Sequence, residues 1–186
     1  MKRLVLFNMI SVDGFFEAPG HDINWHTVDE AFNEFAIQQL DAAEGLIFGR
    51  VTYQLMAEYW PTPAALEDDP GVATKMNSLP KIVFSRTLDQ AEWSNTRLVR
   101  GDAVEAATRL KQEPGGDWLI FGSANLASAL TKCGLIDEYR LMVSPLLLGS
   151  GSPLFQDLHN RLALNLVDTR IFPNGNILLY YRPVLD

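Results

Sequence analysis

Three short apolar runs in this chain each stop abruptly at a small or hydroxyl-bearing residue. They read "LIFG" at Leu46–Gly49, "KIVFS" at Lys81–Ser85 and "WLIFGS" at Trp118–Ser123. Runs of this length, bounded in this way, are the mark of strands buried on both faces. After the third, apolar residues return at helical spacing as Leu126, Leu130 and Leu135, and after the first a helix opens on Arg50. Parallel neighbours need a long crossover, and a helix is the usual one. Strands alternating with helices therefore predict an α/β fold with a mainly parallel sheet.

The remaining segments fit the same plan. "KRLVLFNMI" is a first strand with Leu4, Val5, Leu6 and Phe7 buried, and "SVDGFFEAPGHDINWH" is a loop. Phe32, Phe35, Ala36 and Leu40 share one helix face behind Thr27 or Asp29 as cap. "RVTYQLMAEYW" is a helix that Pro61 and Pro63 end, with a polar loop over residues 61–71 and a short helix over Val72–Asn77. Arg97–Val99 is a strand, Asp102 caps a helix to Lys111, Asn125–Lys132 is a helix and Glu138–Val143 a strand. "LALNLVDTRIFPNGNILLYYRP" is a hairpin turned at Pro173, Asn174 and Gly175, which adds antiparallel strands and makes the sheet mixed. With no repeat or linker, residues 1–186 are expected to form one domain.

Composition narrows the function classes. The net charge of −8 argues against nucleic acid or an anionic membrane as partner, and no apolar run is as long as a membrane span. Cys133 is the only cysteine, so no intrachain disulfide forms and a cytoplasmic compartment is expected; after an apolar helix it reads as a packed thiol. The charge is unevenly spread. Leu4–Gly49 holds no Lys or Arg but eight acids: Asp13, Glu17, Asp22, Asp29, Glu30, Glu34, Asp41 and Glu44. Those eight account for the whole imbalance and predict an acidic wall on the N-terminal side of any ligand. His21 and His26 stand five apart with no third ligand, and no metal site is read from them.

The three strand ends carry the chemistry. Ligands of open α/β sheets bind outside the carboxyl ends of the strands. There the chain places Gly49, Arg50 and Thr52; then Ser85 and Arg86; then Gly122, Ser123 and Ala124. Glycine lets backbone approach a phosphate, hydroxyls donate to it, and arginine grips it with a fork. Three such turns on one sheet edge predict a dinucleotide, and two arginines favour NADPH, whose 2′-phosphate needs a cation. The Gly-x-Gly-x-x-Gly fingerprint is absent.

The whole chain resembles the dihydrofolate reductase-like superfamily, and most closely the reductase domain of the bifunctional riboflavin biosynthesis protein and its stand-alone relatives. "ISVDGFF" matches the family's first-strand signature, and "FGRVTY" resembles the Gly-Arg-x-Thr-aromatic motif of dihydrofolate reductases. "FGSANLASALTKCGLIDEYRLMVSPLLLGSGSPLF" resembles the late block of a Gly-rich turn, a helix, Gly-Leu-x-Asp-Glu, a strand and Leu-Leu-Gly; Ser123 stands where dihydrofolate reductases have a second glycine. The resemblance implies a three-layer fold, NADPH held at the residues of the three turns, and a homodimer, for which "LLLGSGSPLF" and the hairpin offer the apolar surface. It implies an NADPH-dependent reductase of a small heterocycle, with 5-amino-6-(5-phosphoribosylamino)uracil reduction as the named activity. In dihydrofolate reductases a carboxylate shortly after a tryptophan holds the pterin. Here Asp29 and Glu30 follow Trp25 and are the candidate catalytic acids, Glu30 foremost, although acids in a helix's first turn also serve its dipole. The alternatives are a dihydrofolate or pterin reductase and a non-catalytic NADPH- or flavin-binding module. The cation-free N-terminal segment is at odds with a phosphorylated substrate unless Lys75 or Lys81 reaches in.

Overall fold

The computed structural model describes residues 1–184; Leu185 and Asp186, the end of the expected 1–186 domain, lie outside it. In chain order the elements begin with β1 (Arg3–Ser11), β2 (Phe15–Glu17), α1 (Glu30–Asp41), β3 (Ala43–Gly49), α2 (Arg50–Tyr59), α3 (Pro63–Asp68), α4 (Pro70–Ser78) and β4 (Lys81–Phe84). They continue with β5 (Thr96–Val99), α5 (Ala103–Gln112), β6 (Asp117–Phe121), α6 (Ala124–Lys132), β7 (Glu138–Ser144), β8 (Ser152–Pro153), β9 (Leu164–Ile171) and β10 (Ile177–Pro183). The main sheet runs β5-β4-β3-β6-β1-β7-β10-β9. Its first six strands are mutually parallel, and β10 and β9 join antiparallel as the C-terminal hairpin. This is the three-layer, mainly parallel sheet with a C-terminal antiparallel hairpin that the strand–helix alternation predicts.

Alternation along the strands builds the layers. Leu4 and Leu6 of β1, Ile47 of β3 and Ile120 of β6 pack with Ala107, Leu110, Ala127 and Leu130 of α5 and α6. The neighbouring positions Val5, Leu46, Phe48 and Leu119 pack on the opposite face with Leu40, Tyr53, Val72 and Met76 of α1, α2 and α4. Both faces of the central strands are thus covered, which is why they read as unbroken apolar runs. Glu138, buried on β7, fastens three strands: it accepts from Arg3 on β1, Arg140 on β7 and Arg182 on β10 at 2.8–3.0 Å.

Two short elements depart from the sequence reading. The polar stretch 61–71 contains α3, because Pro63 sits at the start of a helix rather than beyond the end of one, with the Thr62 hydroxyl accepting from Ala65 N–H. The loop after β1 contains β2, which pairs antiparallel with β8 as a separate two-stranded sheet.

The site is a consequence of unequal strand lengths. β6 stops at Phe121, opposite Phe7, whereas β1 runs on beside β7 to Ser11. Residues Asn8–Ser11 therefore carry an unpaired strand edge where β6 has ended. A cleft opens there, over the carboxyl ends of β4, β3, β6 and β1.

Candidate functional site

The cleft has a volume of about 950 Å³. Its floor is aromatic. Phe121 stacks on Phe48 at 6.0 Å between ring centroids and meets Phe7 edge-on at 5.9 Å, and Phe7 leans on Phe35 at 5.6 Å.

One end is made by the turns after β3 and β6, which touch. A Cβ on Gly49 would lie 2.1 Å from Ser123 Oγ, and one on Gly122 would lie 2.5 Å from Thr52 Oγ1. Only glycine fits at either place. Gly122 also has φ +60°, and Ser123 follows it in the left-handed region at φ 57°. Ser123 so keeps the backbone form expected of glycine there, at an ordinary cost of about 1 kcal/mol, and its hydroxyl meets Thr52 Oγ1 at 3.2 Å.

These turns are also helix N-termini, and they differ from the other four. The helices α1, α3, α4 and α5 begin under a capping side chain, Asp29, Thr62, Asp69 and Asp102 respectively. The helices α2 and α6 begin at Gly49 and Ser123 with no side-chain cap. Their first N–H groups are left facing the cleft that Gly49, Arg50, Val51, Thr52, Gly122, Ser123, Ala124 and Asn125 line. Uncapped donors and the positive ends of two helix dipoles make this end suited to an anion.

The third turn stands apart. Ser85 and Arg86 are not among the residues lining the cleft, although Phe84 before them is. The Ser85 hydroxyl accepts from the Thr87 and Leu88 N–H groups at 3.2 and 2.9 Å, so it closes its own turn. Arg86 is exposed. Among the described residues Arg50 is the only Lys or Arg on the cleft wall, its guanidinium donating to Gln54 at 2.9 Å.

The opposite end is built from side chains of β1 and of the loop between β1 and α1. Asn8 is 6% exposed, and its Oδ1 is buried with no hydrogen-bond partner. Glu17 is 7% exposed and accepts from His21 Nδ1 at 2.9 Å. His26 Nε2 is buried and unpartnered. Burial pushes the His26 imidazole down to about 4, against the opposing pull of the Phe16 carbonyl and Asp22.

The acidic wall does not form as the sequence suggests. Of the eight acids in Leu4–Gly49, Glu17 alone lines the cleft. Asp13 accepts from the Leu148 and Gly149 N–H groups at 3.1 and 2.7 Å, joining the first-strand signature to the late block. Asp22 accepts from Asn24 N–H, Asp41 pairs with Lys75, and Glu44 pairs with Lys2. These carboxylates are local fasteners, a role that loop and helix-end acids take up readily. The two lysines that could have brought charge in are engaged elsewhere too. Lys75 is held by Asp41, and Lys81 lies 4.6 Å from the Trp93 ring centre while donating to the Asn77 and Leu79 carbonyls.

Asp29 and Glu30 likewise fall outside the cleft lining. The Asp29 carboxylate accepts from Phe32 N–H at 2.9 Å as the cap of α1, and Glu30 is exposed in its first turn. The helix-start role holds for both, and α1 turns Phe32, Asn33 and Ala36 to the cleft instead. Glu17 was not singled out in the sequence; the signal that could have found it is that it directly follows the ISVDGFF signature. Cys133, expected to be packed, is exposed at the end of α6.

Known proteins resemble this chain over its whole length. Residues 2–178 match the model of the RibD C-terminal domain family. The uncharacterized protein YyaP of Bacillus subtilis strain 168 is 30% identical over 183 residues, 97% of this chain and 95% of that one. Among solved structures, a candidate riboflavin biosynthesis protein from Shewanella sp. PV-4 superposes with a TM-score of 0.75 at 23% identity, covering 98% of this chain and 99% of that one. Dihydrofolate reductase from Enterococcus faecalis, solved with NADP(H) and RAB-propyl, superposes with a TM-score of 0.61 at 16% identity, covering 97% and 96%. No helix among the described residues is long and apolar enough to cross a membrane.

Proposed function

The chain belongs to the RibD C-terminal domain family, and from that premise we propose that it is an NADPH-dependent reductase of a small heterocyclic substrate. The observation that carries the reading is the pair of uncapped helices, α2 and α6, meeting at Gly49 and Ser123 over the cleft. A pyrophosphate is the ligand such a pair suits, since its oxygens accept from several N–H groups at once. The Enterococcus faecalis dihydrofolate reductase of like fold was solved with NADP(H), which favours the same cofactor here.

Bound NADPH would supply the hydride. This chain's residues do the rest. Gly49, Thr52, Gly122, Ser123 and Ala124 would hold the phosphates and Arg50 would grip the 2′-phosphate, while Ser85 and Arg86, expected from the sequence to share in this, lie outside the cleft lining. Phe7 and Phe121 line the cleft, Phe121 backed by the buried Phe48, and would keep water from the ring to be reduced. A pterin reductase working through Glu30 is less well supported, because Glu30 is exposed outside the cleft. A binding module with no activity would use the same two turns, but the unpartnered groups at the other end favour a second ligand, and so an enzyme.

A homodimer is part of the same proposal. The strand β9 is an edge of the main sheet, and Leu166, Val167 and Ile171 on it are 54%, 48% and 76% exposed. A monomer rarely leaves such an edge bare. Light scattering at micromolar concentration is expected to return twice the 20.8 kDa chain mass. The catalytic reading is tested by NADPH oxidation against a panel of pyrimidines, pterins and quinones. NADPH is expected to bind and to be oxidised with at least one of them, and NADH to bind more weakly. Equal affinity for the two cofactors, or no oxidation with any acceptor, rejects it.

A further inference from the structure

We propose that Gln54 sets the choice between NADPH and NADH by holding Arg50 in place without neutralising it. The inference rests on the cofactor reading above and deepens it. Arg50 is the cation assigned there to the 2′-phosphate, and Gln54 is a positioning residue that acts through it.

Three observations converge on this pair. The first is where Arg50 stands. It is the first residue of α2, at the positive end of the helix dipole, and no acid shares that first turn. A cation there is at the unfavourable end of its helix. The second is what it lacks. Arg3, Arg109, Arg140 and Arg182 each meet a carboxylate at 2.8–3.0 Å. No ion pair among the described residues includes Arg50. Glu58, Asp89 and Glu92 line an outer groove that Arg50 also borders, yet none of them pairs with it. The third is what holds it. The Arg50 guanidinium donates to Gln54 Oε1 at 2.9 Å, one turn along the same helix. An amide oxygen accepts that hydrogen bond and brings no charge with it.

A second pair of the same spacing shows what helix stability alone selects. On α5 the Glu105 carboxylate accepts from Arg109 at 2.9 Å, with the acid in the first turn and the base in the last. That order suits the dipole and neutralises both charges. On α2 the base comes first and an amide stands where an acid would pair with it. The α2 pair forgoes both favourable terms, and in return Arg50 is fixed in direction while still fully charged. Arg50 borders the cleft and the outer groove, whereas Gln54 borders the outer groove alone. The amide therefore braces the guanidinium from the side away from the cleft. A guanidinium has several N–H donors, and those not spent on Gln54 remain for a phosphate. A carboxylate at the same place would cancel the charge and repel that phosphate.

Calorimetric titration with NADPH and NADH, which differ only in the 2′-phosphate, tests this. The unmodified protein is expected to bind NADPH more tightly. Gln54→Glu turns the α2 pair into an ion pair like that of α5. It should weaken NADPH about tenfold, keep NADH within about twofold and leave the unfolding temperature level. Gln54→Met keeps the length and removes the acceptor. It should weaken NADPH only about threefold, because the guanidinium is freed but keeps its charge. Salt supplies a readout that packing would not move. NADPH affinity should fall more steeply with salt than NADH affinity, and the difference in slope should shrink in Gln54→Glu. An NADPH preference that survives Gln54→Glu overturns the inference and leaves the cofactor reading standing. Equal weakening of both cofactors, or a fall in unfolding temperature, makes Gln54 a structural residue and overturns it as well. Equal affinity for the two cofactors in the unmodified protein rejects the cofactor reading itself, and this inference with it.

Discussion

The two ends of the cleft are built from different material. At one end the chain contributes backbone: two helix N-termini without caps, two glycines that let them touch, and one arginine at the rim. At the other it contributes side chains: Asn8 on a strand edge, Glu17 on a short two-stranded sheet and His26 in the loop before α1. A backbone-built end tolerates almost any substitution except at its points of closest approach. A side-chain-built end can be rewritten one residue at a time while the sheet beneath it is left alone. One scaffold can therefore keep a cofactor and change its substrate, which is a physical reason for fold and function to part company.

Substitutions that break this contrast should differ sharply in size. The largest effect is expected at Gly122→Val, which drives a β-branched side chain into Thr52 at φ +60°. Overpacking of about 1–3 kcal/mol and left-handed strain of about 1–2 kcal/mol should lower the unfolding temperature and weaken NADPH at least a hundredfold in titration. The pH dependence of stability comes next, and it belongs to the end built from side chains. His26 has its folded value lowered from 6.5 to about 4, so the unfolded chain takes up the proton first. Its contribution is complete above pH 6.5 and lost as pH falls toward 4, by up to about 3 kcal/mol. Denaturant titrations across that range should show the slope, and His26→Phe should flatten it.

Arg50→Ala is expected to cost about 1.5–3 kcal/mol of NADPH affinity and to leave NADH affinity nearly unchanged. Arg86→Ala should cost clearly less, since Arg86 is off the cleft wall. Paired titrations of the two cofactors would show whether that ranking holds. The smallest effect is expected at Glu30→Gln: kcat/KM within about twofold of the unmodified protein, the ordinary size for an exposed surface position. A tenfold fall there would return Glu30 to the catalytic role and undo the contrast between the two ends.

Much of this was legible in the residue order, for a stated reason. Strands covered on both faces must be apolar throughout, so β3, β4 and β6 announce themselves, and parallel pairing then dictates helices between them. The glycine-bearing turns followed from the same logic. Proline was harder. Pro63 ends nothing, because its missing N–H is harmless in a helix's first turn, and Thr62 makes that a start. The charge map misled for a different reason. Composition counts carboxylates but cannot say which accept from a nearby N–H, and Asp13, Asp22 and Asp29 all do. Glu17 was hidden because it depends on β2 pairing with a segment 135 residues away at β8, a long-range contact with no local signature.

The lone thiol has a practical use that follows from where α6 lies. Cys133 is exposed at the carboxyl end of the helix whose other end faces the cleft, about 14 Å away along the axis at 1.5 Å per residue. No other cysteine competes for a label. An environment-sensitive dye attached there in one step, on the unmodified sequence, would sit far enough from the uncapped N–H donors of α6 to leave them free and on the same rigid rod. Its emission could follow ligand arrival in real time, with no engineered handle.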